Sequence, residues 1–166
     1  MRIADSILME LDQEGRTTRR VLERVPTDKL AWTPHQKSMN LGQLALHVAQ
    51  VPGTIAGFVS GPELVMTGDF KQAAATSTAE VLSALEQSLA TAKEVVNGLD
   101  DATIMSMWSL KAGGKTLMSM PRLAVVRSLM LNHWYHHRGQ LSVYLRELDV
   151  PVPSIYGPSA DESPFA

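Results

Sequence analysis

Histidines are the residues best placed to do chemistry in this sequence. One run reads Asn132-His133-Trp134-Tyr135-His136-His137-Arg138-Gly139-Gln140. On a helix, at about 100° per residue, His133 and His137 differ by only about 40° around the axis. With His133 at zero, Val126, Met130, Leu141, Tyr144 and Leu148 lie between about +20° and +80°, so the pair shares an apolar, inward stripe. His47 repeats the pattern, with Leu44, Val51, Ile55 and Phe58 at about +20° to +80° from it. Two imidazoles one turn apart on one helix and a third from another can give a divalent ion three nitrogen ligands at about 2.0–2.1 Å and leave a position open for water or substrate. A core imidazole otherwise needs partners for both ring nitrogens, and three of them in an apolar interior would leave several polar groups unpaired. Hydrogen-bonded core histidines without a metal remain the alternative, because spacing alone does not bring His47 to the pair.

The surrounding residues sharpen the chemistry. His136, at about −60°, lies on the shoulder of the stripe and is a candidate site-rim residue, as is Tyr144. His35 follows Pro34 in a connection and reads as exposed. Trp134 stands after His133 where a helical metalloprotease motif needs Glu, and no acid shares a turn with the pair, so no built-in general base is visible. Glu147 reads as an ion-pair partner. Gln140, at about −20°, and Gln43, one turn before His47, are candidates to accept an imidazole N–H. Met105, Met107, Met118 and Met120 read as pliable packing under a loop or at a dimer contact rather than a soft-metal site.

Composition bounds what can carry this site. At 166 residues the chain is the size of one domain. Its 15 Lys+Arg against 17 Asp+Glu give a formal charge of −2, which argues against a nucleic-acid binder, and 45% hydrophobic residues exclude disorder. With Cys 0, disulfides, Cys-based zinc sites, iron–sulfur clusters and a protein thiol nucleophile are all excluded. Any catalytic thiol must come from outside. The start, Met1-Arg2-Ile3-Ala4-Asp5-Ser6, lacks the pattern of a signal peptide, and the apolar window Leu41 to Val59 is interrupted by Gln43, His47 and Gln50. The chain reads as cytoplasmic, without a membrane partner.

Four helices are expected to position the histidines. Apolar spacing predicts one over about 3 to 25, stopped before Pro26. A second starts at Leu41, capped by Ser38 or Asn40, and runs to about Val59 with a kink at Pro52-Gly53. Ser77-Thr78-Ala79-Glu80 is a capping-box pattern ahead of a third, through Leu99. Pro121 opens a last long helix through Leu148, ended by Pro151 and Pro153. The stretch 108 to 117 fits either a small hairpin around Gly113-Gly114 or an irregular loop. Strand-like alternation is nearly absent, so an all-α bundle is the economical architecture, one domain over 1–166 with a Pro-rich tail from about 149.

Three segments resemble a known family. The run from Pro34 to His47, the run from His133 to Arg146, and the tail Val150-Pro151-Val152-Pro153-Ser154-Ile155-Tyr156-Gly157-Pro158-Ser159 are similar to the DinB-like, YfiT-related family of metal-dependent enzymes, across essentially the whole chain. The resemblance implies a four-helix bundle in up-down-down-up order, a divalent metal on His47, His133 and His137, and a homodimer. Zinc is the first choice, with nickel, iron or manganese as other candidates. Relatives that resemble this bundle and have known roles are thiol-dependent, among them bacillithiol transferases and mycothiol-dependent maleylpyruvate isomerases.

Three functions follow as expectations. In the first, the open metal position binds a low-molecular-weight thiol as co-substrate, lowers its pKa and presents the thiolate to an electrophilic small molecule. In the second, a hydrolase, the same position activates water. In the third, a metal-stabilised bundle binds a small molecule or partner without turnover, the tail around Tyr156 covering a pocket.

Overall fold

A computed structural model describes residues 1–68 and 71–165. Helix α1 spans Ile3–Leu22 and starts where Asp5 reaches back to the Arg2 amide at 2.8 Å. Its buried positions Ala4, Ile7, Leu11, Thr18 and Leu22 recur every three, four or seven residues, the signature of one face turned inward. Helix α2, Leu41–Ser60, is capped by Asn40, which accepts from the Gln43 amide at 2.8 Å while the Gln43 side chain accepts from the Asn40 amide at 3.0 Å. These two bonds satisfy donors that the first turn leaves free. Helix α3, Thr78–Gly98, is capped by Ser77 as its sequence predicts.

Helix α2 runs unbroken through Pro52, and α3 makes this tenable. The Gly53 amide donates to Ser88 Oγ at 2.7 Å, and that hydroxyl donates to the Gln50 carbonyl at 3.1 Å. A side chain on Gly53 would sit 2.8 Å from the Ser88 Cα, so glycine is what lets the two helices approach here. The last helical stretch begins at Pro121. It comprises α5 (Arg122–Val125), a π-helical segment (Val126–Asn132) and α6 (His133–Glu147). Helix α2 packs against α3 and against this stretch, while α1 packs against α3 and α6. A short α4, Asp101–Met105, links α3 to the strands.

The protein is mostly helical but not all-α, which corrects the expectation from sequence. Strands β1 (Glu63–Met66), β2 (Met107–Ala112) and β3 (Lys115–Pro121) form a sheet in the order β1-β2-β3. Of the two readings of residues 108 to 117, the hairpin is the one observed. Gly113 and Gly114, at φ 54 and 75, form its turn, where positive φ at both central residues suits the twist of the strands. Strand β1 pairs with β2 in parallel, Glu63 opposite Ser109, so its hydrogen bonds come from more than forty residues downstream. Trp108, fully buried, donates from its indole to the Phe58 carbonyl at 2.9 Å and ties the sheet to the end of α2. Buried Arg122 does the same from α5, donating to the Val59 and Gly61 carbonyls at 3.0 Å each. Met118 and Met120 pack partly buried on the core, whereas Met105 and Met107 are exposed. No described helix is long and apolar enough to cross a membrane.

Candidate metal centre

The structure brings His47 of α2 together with His133 and His137 of α6. Their ring centroids are 4.5 to 5.2 Å apart, and one nitrogen of each lies within 4.8 Å of the other two. Nε2 of His133 is 2.8 Å from Nε2 of His137 and 3.5 Å from Nε2 of His47.

The opposite ring nitrogens explain which atoms converge. His47 Nδ1 faces Gln72 Oε1 at 2.8 Å, His133 Nδ1 faces the Leu129 carbonyl at 3.3 Å, and His137 Nδ1 faces Gln140 Oε1 at 2.7 Å. All three partners are oxygens that can only accept, so each Nδ1 carries the hydrogen and each neutral Nε2 turns a bare lone pair inward. The Gln72 orientation is fixed by its amide nitrogen, which donates to the Ala73 carbonyl at 3.1 Å. Lone pairs this close repel unless a proton or a cation lies between them. Tetrahedral ligands at 2.0–2.1 Å place neighbouring nitrogens about 3.3 Å apart, and ligands at right angles about 2.9 Å, so the observed spacings suit a divalent ion. Burial pushes all three imidazoles below their usual range, His137 to about 4, which keeps the ligating neutral form at neutral pH.

Local structure sets this up. The π-helical turns directly precede His133, and they put the Leu129 carbonyl within reach of its ring. Widened turns of this kind re-phase the residues that follow. The fully buried face of α6 carries Trp134, Arg138, Leu141 and Leu145, so His133 and His137 occupy its half-buried shoulder rather than its middle. Arg138 is buried in an ion pair with Glu14 of α1 at 2.6 Å, and also donates to Thr18 Oγ1 at 3.0 Å and the Tyr156 hydroxyl at 2.6 Å. That network locks the rotation of α6 against α1.

Other residues singled out from sequence fall as follows. Gln140 accepts from an imidazole as expected. Gln43 does not, being engaged in the α2 cap and donating to the Gln72 carbonyl at 3.2 Å. Gln72, which sequence reasoning missed, takes its place from a connection with no periodic signal. His136 is exposed, its ring centroid 5.0 Å from that of His137, outside the group of three. The Tyr144 hydroxyl donates to the Met39 carbonyl at 3.1 Å and its ring meets Trp32 edge-on. His35 is exposed, with Nδ1 accepting from the Lys37 amide. Glu147 is exposed and in no ion pair among the described residues. The tail carries Tyr156 to Glu14, where its hydroxyl donates at 2.9 Å.

Beside the histidines lies a cavity of about 530 Å³. Its lining includes His47, His133 and Gln72, while Tyr156 is not among the lining residues.

Fold and site together define a mostly helical domain whose three convergent imidazoles could hold a divalent ion. The chain belongs to the DinB family, whose model matches residues 1–164. It is similar to YrdA of Bacillus subtilis, an uncharacterized protein, with 24% identity over 160 residues, 95% of this chain and 90% of that one. The fold is that of a DinB-like protein from Bacillus cereus, with a TM-score of 0.71 at 20% identity, covering 92% of this chain and 97% of the other. A second DinB-like protein, YjoA of Bacillus subtilis, gives a TM-score of 0.68 at 15% identity over 90% and 97% of the two chains.

Proposed function

We propose that this protein is a metal-dependent enzyme that holds a divalent ion, zinc first, on His47, His133 and His137 and transfers a low-molecular-weight thiol to an electrophilic small molecule. The observation that carries the reading is the convergence of three Nε2 lone pairs whose Nδ1 atoms are each held by a carbonyl oxygen. When bound, such an ion supplies Lewis acidity that favours a coordinated thiolate at neutral pH. The chain's own part is to orient the imidazoles, keep them neutral and leave a side open to solvent and to the cavity. A thiol, with a free pKa of about 8.5, needs little help to ionise, whereas water starts near 15.7. A bound cation therefore has less to do for a thiol than for water, which favours the thiol reading over hydrolysis. The absence of cysteine fits a thiol that arrives from outside.

Protein purified without a His-tag and loaded with zinc is expected to consume a thiol and an electrophile together, at a rate that depends on both and vanishes in His133→Ala. A rate independent of thiol contradicts the proposal. The reading also includes an up-down-down-up helix order and a cytoplasmic homodimer. Sedimentation equilibrium checks the dimer by giving twice the 18.1 kDa chain mass.

A further inference from the structure

We infer that the cavity beside the histidines is the seat of an uncharged, elongated, largely apolar small molecule with one polar end directed to His47 and His133. The inference rests on the reading above for what meets that polar end, but the cavity itself is independent of any metal. Its long wall is one stripe of α2: His47, Gln50, Val51, Thr54, Ile55 and Phe58 stand at i, i+3, i+4, i+7, i+8 and i+11, one face of the helix. At 1.5 Å per residue the eleven steps from His47 to Phe58 make a channel wall about 16 Å long. The facing wall comes from the sheet, with Leu64 of β1 and Trp108 and Leu110 of β2, and Leu129 closes the side. A volume of about 530 Å³ falls within the range of sites that enclose small organic ligands and is too small for a folded partner.

The lining also says what is excluded. Among its described residues only His47 and His133 are titratable, and there is no Lys, Arg, Asp or Glu. Away from the histidine end, a carboxylate or phosphate drawn along this space would lose its water without gaining a counter-charge from the described lining residues, which is strongly unfavourable. The neutral polar groups, Gln50, Thr54, Thr67 and Gln72, can serve one or two hydrogen bonds but not a full charge. The occupant that fits is therefore the uncharged electrophile, with its apolar tail lying along Val51, Ile55 and Phe58, rather than a highly polar thiol. His137 is not among the lining residues.

Displacement of the neutral fluorophore N-phenyl-1-naphthylamine by straight-chain alkylhydroxamic acids tests this on the full chain, with zinc loading measured separately by elemental analysis. The fluorophore is expected to bind one per chain whether or not zinc is present. Displacement by the hydroxamates should strengthen about fourfold for each added methylene, the ratio that burial of one CH₂ supports, until the cavity is full. A terminal carboxylate on the longest chain should weaken it at least tenfold. Thr54→Arg, at an exposed lining position, should reverse that preference. Ile55→Trp, with helix content verified by circular dichroism, should block the fluorophore. Stoichiometric zinc with displacement that ignores chain length overturns the cavity inference and leaves the metal reading standing. Chain-length dependence that is identical with and without zinc, in a protein that takes up no metal, supports the cavity and contradicts the metal reading.

Discussion

The Gln72 side chain gives the sharpest handle on how the protein prepares the three imidazoles. Its Oε1 accepts from His47 Nδ1 at 2.8 Å, and its own amide is held by the Ala73 carbonyl, so the acceptor is fixed before any ion arrives. Gln72→Ala removes that acceptor but spares the Gln72 backbone carbonyl, which still receives the Gln43 amide. His47 is then free to rotate or change tautomer, and ordering it again falls on the binding step. Loss of such a supporting hydrogen bond weakens metal binding about 10- to 100-fold. At 1.36 kcal/mol per factor of ten this is about 1.4–2.7 kcal/mol. Gln72→Glu keeps an acceptor and adds negative charge, so it should bind as tightly as the parent or more tightly. Competition with a chromophoric zinc chelator reads these affinities directly. Gln72→Ala binding zinc within twofold of the parent would refute the idea that carbonyl anchoring of Nδ1 prepares the site.

Three further outcomes follow from packing and titration. Ser88→Ala leaves the buried Gly53 amide without its 2.7 Å partner and should cost about 1–3 kcal/mol in urea unfolding; a loss below about 0.5 kcal/mol would show that α2 closes its own ladder at Pro52. Arg138→Met strands the buried Glu14 carboxylate and should cost about 3–5 kcal/mol, much of it regained when Glu14→Gln is added; equal costs for the single and double variants would contradict an ion-pair origin. In metal-free protein, burial holds His47 and His133 low and His137 near 4, so the unfolded chain takes up protons at about 6.5 that the folded chain refuses. Stability is therefore full above pH 6.5 and declines as pH falls toward 4. Urea midpoints that fall less steeply over this window in His137→Gln check the assignment, and parallel curves would contradict it.

The helices were legible because each buries one face and the apolar spacing records it, with Asn40 and Ser77 marking two starts through local bonds. The i, i+4 pair on α6 and the inward direction of His47 were legible for the same reason. What sequence could not show was set by distant partners. Glu63-Leu64-Val65-Met66 has no alternation that marks a strand, and its pairing depends on β2, far along the chain. The Gln72 contact likewise depends on how an irregular connection returns over α2. Arg138 reads as a polar surface residue until Glu14 and Tyr156 are placed around it. Trp134 and Arg138, at about 100° and 140° around α6 from His133, are both buried, which is why the histidines sit on the shoulder of the buried face instead of at its centre.

The central claim is that His47, His133 and His137 together hold one divalent ion. Elemental analysis of tag-free protein, prepared without nickel resin and dialysed against trace zinc, tests it on the parent and on five alanine variants. One equivalent of metal per chain is expected in the parent, in His35→Ala and in His136→Ala, with most of it lost in His47→Ala, His133→Ala and His137→Ala. A folded parent that takes up no metal, or full occupancy in His133→Ala, would contradict the account.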